Sequence, residues 1–402
     1  MLARSAIYLD SNAGAPLRPS VVKALLLLFQ DALPLLPNAS SIHLHGRKAK
    51  RLLAESREQV AYSLGPKTDS EQLILTSSGT EANQLAIRGI LEQKLLNGEK
   101  PHLITTTVEH DSVLSMAKWL EARGGSVSYL PVDADGRLCI DLLDSLWKPE
   151  TAMVSAVWVN NETGVITDVQ ALARAVRAKR GTLHLDAAQA WGKLKIDVAE
   201  LGAQLVTVSA HKIGGLAGAG ALWLERGTHI KQSVIQGKQE KGRRGGTENL
   251  LGCIAMGAAA AALDPVGWSE RVAPLRDRLQ SVITQRIPGT LVNGGEAPRV
   301  ANTLNLNFQG VKGDGLVMAL DLAGYSVSAG SACASGVMEP SHVLMAMGKS
   351  REHAMAAIRV SLSDAVAWET LDAFVTALEK VVERFTDKVD SFKESELDRD
   401  RT

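Results

Sequence analysis

Cysteine is scarce in this sequence. Cys139, Cys253 and Cys333 are the three in 402 residues, and no Cys-x-x-Cys spacing occurs. That excludes a disulfide framework and a structural zinc site, and it fits a reducing compartment. Charge of one sign is also missing, since 44 Lys and Arg balance 44 Asp and Glu. Nothing therefore indicates direct nucleic-acid contact or an anionic membrane surface. Long apolar runs are absent as well. The longest, Leu250 to Leu263, is interrupted by glycine and cysteine and is too short to span a bilayer. Arg4 leads directly into Ile7-Tyr-Leu-Asp10 without the apolar core of a signal peptide, so the expected location is the cytoplasm. There are no internal repeats.

What remains is a soluble globular composition, 45% apolar and 22% charged, on a chain long enough for two domains. Ile7-Tyr-Leu-Asp10 reads as a short strand, and Asn12-Ala-Gly-Ala-Pro16 turns into a helix near Arg18-Pro-Ser20. Asn38-Ala-Ser-Ser-Ile-His43 reads as a polar loop capping the next helix. Strands are expected at 72–76, 102–107, 126–130, 152–158, 182–186, 205–209 and 219–224, with helices between most of them. This alternation predicts an α/β fold with a mostly parallel seven-stranded sheet covered on both faces. Beyond Leu250 the pattern becomes a smaller α+β lobe: a helix at 270–286, a strand near 301–308, a helix at 313–322, a loop at 326–336 and a last helix at 367–385. The expected division is a large domain over 17–257, a small domain over 1–16 and 258–385, and a charged, solvated tail over 386–402.

In open α/β sheets, ligands bind beyond the carboxyl ends of the strands. Five successive strand ends here carry suitable groups. Thr76-Ser-Ser-Gly-Thr80 opens a helix and suits a phosphate. His110 follows strand 102–107 and can stack on a flat ring or shuttle protons. Asn160 and Asn161 follow strand 152–158 and could donate to a ring oxygen. Asp186, with Gln189 three residues on, could hold a protonated pyridine nitrogen. Val206-Thr-Val-Ser-Ala-His-Lys-Ile-Gly-Gly215 places Lys212 where a strand gives way to glycines, a position suited to a Schiff base. Each signal alone also fits an ordinary cap, turn or loop residue. In this order they describe a pyridoxal phosphate site.

From Tyr8 to about Leu362 the sequence resembles the NifS/IscS-type cysteine desulfurases, in the class V branch of fold-type I pyridoxal-phosphate enzymes. The resemblance rests on Tyr8-Leu-Asp, Asn38-Ala-Ser-Ser-Ile-His, Thr76-Ser-Ser-Gly-Thr-Glu81, Glu109-His110, Asn160-Asn-Glu-Thr-Gly164, Asp186-Ala-Ala-Gln189, Ser209-Ala-His-Lys212, Arg243-Arg-Gly-Gly-Thr-Glu-Asn249, Gly330-Ser-Ala-Cys333 and Ile358-Arg-Val-Ser-Leu362. It implies that Lys212 carries pyridoxal 5′-phosphate as a Schiff base and, once freed, removes the substrate α-proton. Gly79, Thr80, Ser209 and His211 would bind the phosphate, with Thr247 reaching in from the other subunit of a homodimer. His110 would stack on the ring and move protons. Asp186 would pair with the ring nitrogen, and Asn161 and Gln189 would face the ring oxygen. Asn38 and Arg359 would hold the carboxylate of L-cysteine. Cys333 would take the sulfur as a persulfide, leaving L-alanine, and pass it to an acceptor protein such as an iron–sulfur scaffold or a tRNA-thiolation relay. No resident metal is implied; whether Cys333 also ligates an iron–sulfur cluster transiently with a partner stays open.

Residues around Cys333 support that role independently. Ser326-Val-Ser-Ala-Gly-Ser-Ala-Cys-Ala-Ser-Gly336 is nearly all small side chains, which pack poorly and suit a mobile arm. Cys139 and Cys253 lie in apolar contexts and read as small core residues. Three stretches depart from the family pattern. Ala13-Gly-Ala-Pro16 stands for Ala-Thr-Thr-Pro, Gly215-Leu-Ala-Gly218 for Gly-Pro-Lys/Arg-Gly, and Gln236-Gly-Lys-Gln-Glu-Lys-Gly242 for a triple-glycine run. Rival readings are a selenocysteine lyase or aminotransferase on the same site, and a catalytically silent scaffold. Cys333 argues against an aminotransferase; the joint presence of Lys212, Asp186, His110 and Cys333 argues against a scaffold.

Overall fold

The computed structural model describes residues 6–30, 37–231, 237–308, 310–329 and 339–399, with side chains as far as residue 385. Its strands are β1 (Ile7–Tyr8), β2 (Leu73–Thr76), β3 (His102–Thr106), β4 (Ser126–Leu130), β5 (Thr151–Val157), β6 (Leu183–Asp186), β7 (Leu205–Ser209), β8 (Gly220–Leu224), β9 (Leu291–Val292), β10 (Thr303–Asn307), β11 (Tyr325–Ser326), β12 (Ser328–Ala329) and β13 (Ala357–Ser361). Seven form one sheet in the order β2-β8-β7-β6-β5-β3-β4. Neighbours among β3 to β7 run parallel, and β8 runs antiparallel to both β2 and β7. The carboxyl ends of the parallel strands therefore collect along one edge.

Alternate side chains on these strands serve two cores. Leu73, Leu75, Ile104, Val154, Leu185, Val206 and Val208 face one cluster. Ile74, Leu205 and Leu222 face the opposite side, as do Leu103 and Met153. Both faces are covered, so the strands are continuous apolar runs. Each fully buried leucine or isoleucine contributes about 2 kcal/mol relative to an exposed one.

A second sheet, β12-β13-β10-β9, is antiparallel throughout. Its core gathers Leu304, Leu306, Ile358 and Val360 with Phe374 and Leu378 of the last helix. The N-terminal strand belongs to this lobe through the parallel β1–β11 pair and a bridge from Asp10 to Ser361. The chain then crosses to the large sheet, where Ala15 donates to the His211 carbonyl at 2.8 Å. Residues 10–15 thus lie at the junction.

Some elements differ from the sequence expectation. The last helix runs from Trp368 to Arg399, so its backbone continues into the stretch read as a tail. The helix after β2, expected over 81–91, spans Gly79–Leu96. Helix Leu44–Ser63 is capped, as expected, from the loop before it: the His43 ring accepts from the Gly46 N–H. Cys253 is buried as expected, but Cys139 is partly exposed, with burial and the nearby Asp133 and Asp141 raising its thiol pKa. Among the described residues no single helix is long and apolar enough to cross a membrane.

Candidate active site

A cavity of about 290 Å³ lies at the carboxyl ends of the parallel strands. Gly79, Thr80, His110, Asn161, Asp186, Gln189, Ser209, His211, Lys212 and Arg359 all line it. Gly79 and Thr80 open the helix after β2, His110 caps the helix after β3, and Arg359 lies on β13 of the second sheet.

One wall is the N-terminus of helix Gly79–Leu96. Ser78 is its cap and accepts from Glu81 N–H at 3.1 Å. The first-turn N–H groups of Gly79 and Thr80 are donors that a helix start leaves free for an anion. Two glycines make the approach possible. A Cβ on Gly79 would stand 3.1 Å from Ser209 Cβ, and one on Gly220 would stand 2.6 Å from the Ser78 carbonyl carbon. Glu81 fixes the turn through Ser77 and a two-pronged pair with Arg244 at 2.8 and 3.1 Å. Although burial raises the Glu81 pKa, those hydrogen bonds bring it below the usual value. Opposite, Ser209 Oγ and His211 Nδ1 are 3.0 Å apart. Burial, then Lys212 and His110, lowers the His211 pKa to about 4, leaving a neutral ring.

The floor is a polar chain. Asn83 Nδ2 donates to Asp186 Oδ2 at 2.7 Å and to Ser112 Oγ at 2.9 Å. Asp186 Oδ1 accepts from the Ala188 N–H at 2.9 Å. Ser112 Oγ is 2.8 Å from His110 Nδ1, which also accepts the Ser112 backbone N–H at 3.1 Å. That acceptance fixes the neutral tautomer with its proton on Nε2. Beneath His110, the fully buried Glu109 accepts from Thr106 Oγ1 at 2.7 Å and the Val157 N–H at 2.8 Å. Burial outweighs those bonds and raises its pKa to about 8, so the carboxyl is largely neutral at pH 7.

Lys212 Nζ donates to the carbonyls of Asn12 at 2.7 Å and Ala13 at 3.1 Å. Burial, and then Arg359, lowers its pKa from 10.5 to about 8, against the attraction of Asp10 and Asp186. Arg359 donates to Asp10 Oδ1 at 2.6 Å and to the Asn161 carbonyl at 3.0 Å. Its Nε has no partner among the described residues, so a five-donor guanidinium keeps capacity for another acceptor. The Asn161 side chain borders the cavity, whereas Asn160 is spent on its turn, accepting from Glu162 and Thr163. Asn38 and Thr247 do not reach this cavity. They line another, of about 240 Å³, with Glu248 and Asn249. Cys333 lies outside the described residues.

Three cavity residues carried no functional signal in the sequence. Asn12, read as a turn, donates to the Asn161 carbonyl and Thr303 Oγ1 and accepts from Lys193 and Asn302. Asn83 stands four residues after Gly79, one helical turn down the same face, and that spacing was the available clue. Ser112 holds the His110 ring.

The aminotransferase class-V family model matches residues 7–374. The chain belongs to this family. Similar class-V relatives include a cysteine desulfurase of Nostoc sp., 37% identical over 94% of both chains. Another is the cysteine desulfurase IscS of Dictyoglomus turgidum, 37% identical over 94% of this chain and 95% of that one. Among solved structures, a NifS-like protein superposes with a TM-score of 0.85 at 29% identity, covering 94% of this chain and 99% of its own. The cofactor of this class-V protein is pyridoxal 5′-phosphate. The donor set fits it: helix-start N–H groups for a phosphate, a carboxylate for a protonated ring nitrogen and a lysine for a carbonyl surround one cavity.

Proposed function

We propose that this class-V enzyme is a cysteine desulfurase that converts L-cysteine to L-alanine and takes the sulfur onto Cys333. The observation that carries the reading is that Lys212, Asp186, His110 and Arg359 line one cavity in a chain 37% identical to a cysteine desulfurase. The assignment of Cys333 rests on the resemblance of Gly330-Ser-Ala-Cys333 to the family's cysteine loop.

The cavity lining supports the roles that the resemblance implies. Gly79, Thr80, Ser209 and His211 would hold the phosphate, and Asp186 would hold the ring nitrogen. Asn161 and Gln189 would serve the ring oxygen. Arg359 takes the substrate carboxylate with its spare donors, a match for its planar fork. Bound pyridoxal phosphate supplies an electron sink for the substrate α-carbon. Lys212, with a pKa near 8, holds a useful fraction of free amine at neutral pH and accepts the α-proton at Nζ. His110 would orient the reacting group through its Nε2–H. The Cys333 thiolate would then attack the substrate sulfur. The sulfur–carbon bond breaks, its electron pair goes to carbon, the proton given up by the Cys333 thiol completes the methyl group of alanine, and Lys212 returns the α-proton. Cys333 is left as a persulfide.

Asn38, the other residue read as holding the substrate carboxylate, and Thr247 line a separate cavity in this chain. The reading therefore has Thr247 serve the phosphate of a partner copy in a homodimer. The protein acts in the cytoplasm and passes its sulfur to an iron–sulfur scaffold or a tRNA-thiolation relay. Peptide mass spectrometry after incubation with L-cysteine tests the sulfur-accepting residue. One added sulfur on the Cys333 peptide is expected; alanine formed with no sulfur on that peptide would overturn the assignment.

A further inference from the structure

Behind Lys212 lies a second lysine that the chemistry above does not use. Lys193 is 7% exposed, and its Nζ donates to Asn12 Oδ1 at 2.7 Å and to Gln189 Oε1 at 2.5 Å. Gln189 Nε2 in turn donates to the Asn12 carbonyl at 2.8 Å, the same oxygen that Lys212 holds at 2.7 Å. No carboxylate pairs with Lys193 among the described residues, and the charges acting on it are the cations Lys212 and Arg359. An ammonium has three donors, whereas a neutral amine has two, matching the two acceptors present. Burial, then Lys212 and Arg359, depresses its pKa far below the ordinary lysine value, in the same direction.

We propose that Lys193 is a positioning residue whose amine fixes the Gln189 amide, so that Gln189 presents an N–H rather than an oxygen to the cavity. The amide has two possible orientations. Lys193 donates to Oε1, and the Asn12 carbonyl, which can only accept, takes an Nε2 hydrogen. The reverse orientation would set Oε1 against the Asn12 carbonyl and forfeit the short bond from Lys193. One Nε2 hydrogen is then spent on Asn12, and the other remains for a ligand. A flipped amide would set its oxygen against an anionic ring oxygen, which is repulsive. The inference rests on the reading that Lys212 carries the cofactor and that Gln189 faces its ring oxygen.

A donor on that oxygen stabilises the form in which the lysine–cofactor nitrogen is unprotonated, and so lowers the pH midpoint of the visible absorbance. Titratable groups facing the pair are Lys212, Arg359, Asp10, Asp186 and His211. Arg18 and Asp364 line a second cavity, of about 270 Å³, that borders both lysines. These groups are shared by all the variants, so differences between variants report the amide.

The test compares holoenzyme midpoints for wild type, Lys193→Met, Gln189→Ala and the double variant, with thermal unfolding as a check on folding. The visible band itself tests cofactor attachment; its midpoint tests Lys193. Lys193→Met is expected to raise the midpoint by about one pH unit, a tenfold change in proton affinity, and to add nothing in the Gln189→Ala background. Lys193→Gln, which keeps an N–H donor without charge, is expected to shift it less. An unchanged midpoint in a folded Lys193→Met enzyme would overturn the proposal, as would a Lys193→Gln shift as large as that of Lys193→Met, or an equal shift with and without Gln189.

Discussion

Asn83 ties Asp186 to the other side of the cavity, donating to its Oδ2 at 2.7 Å while also donating to Ser112 Oγ at 2.9 Å. The group read as the ring-nitrogen partner and the group that holds His110 therefore share one amide. A hydrogen bond to a charged acceptor contributes about 1.5–3 kcal/mol. Asn83→Ala is expected to lower kcat/KM roughly 10- to 100-fold without unfolding the protein. Steady-state kinetics on L-cysteine measure this; unchanged kinetics would remove Asn83 from the site.

Arg359 has the opposite problem, because it serves both the fold and the substrate. It is bound to Asp10 at 2.6 Å with both side chains largely buried. Arg359→Ala strands a buried carboxylate, at a cost of about 3–5 kcal/mol, and so confounds binding with stability. Arg359→Lys keeps a charge near Asp10 but not the planar fork. The expected outcome is a KM for L-cysteine about tenfold higher with little change in kcat, about 1.4 kcal/mol of uniform binding lost. A raised KM would be absent if the carboxylate binds elsewhere.

Acid should destabilise the cofactor-free protein through His184. This ring is fully buried between Ser155 Oγ at 2.8 Å and Thr207 Oγ1 at 3.0 Å. Burial lowers its pKa from 6.5 to about 4 despite the attraction of Asp186. Between those values the unfolded chain binds the proton and the folded one does not, so stability falls as pH drops from 6.5 towards 4. The whole effect is on the order of 3 kcal/mol. Chemical denaturation across that range should show the loss, and His184→Gln should make the slope shallower, leaving the shares of His102 and His211, which are also lowered to about 4; an equally steep slope in the variant would assign the loss to other groups.

Glu240 and Lys241 adopt left-handed backbone, at φ +48° and +59°. This is the stretch where the sequence replaces a glycine run, and Arg57 supplies a compensating contact. Its guanidinium grips Glu240 at 2.5 and 2.8 Å, and Glu240 Oε2 also accepts the Leu75 N–H at 2.9 Å. Arg57→Ala is expected to cost about 3–5 kcal/mol, since it leaves Glu240 buried and unpaired. A loss below about 1 kcal/mol, read by denaturant unfolding, would show that the pair does not hold this turn.

The fold was legible wherever burial on both faces made a strand a continuous apolar run bounded by glycine or polar residues. The strand at 205–209 matches its sequence bounds for that reason. The part-exposed edge strand at 126–130 and the helix at 313–322 match theirs as well. Ends set by capping geometry were less visible, as at Gly79. Site residues at strand ends, such as Asp186 and Lys212, could be read because the parallel sheet dictates where such ends converge. Asn12 could not, since its role comes from Thr303 and Lys193, which are 291 and 181 positions away. Lys193 looked like any lysine until its two acceptors were known.

The central claim is that a cofactor on Lys212 and a thiol on Cys333 act in sequence. The most direct measurement records the visible spectrum of wild type and Cys333→Ser before and after L-cysteine, with alanine and sulfide assayed in the same samples. The account predicts a visible band that shifts with cysteine in both proteins, and sustained alanine formation in the wild type alone. Undiminished alanine formation by Cys333→Ser would contradict the thiol's role, and a protein that shows no band even after adding pyridoxal phosphate would contradict the site itself.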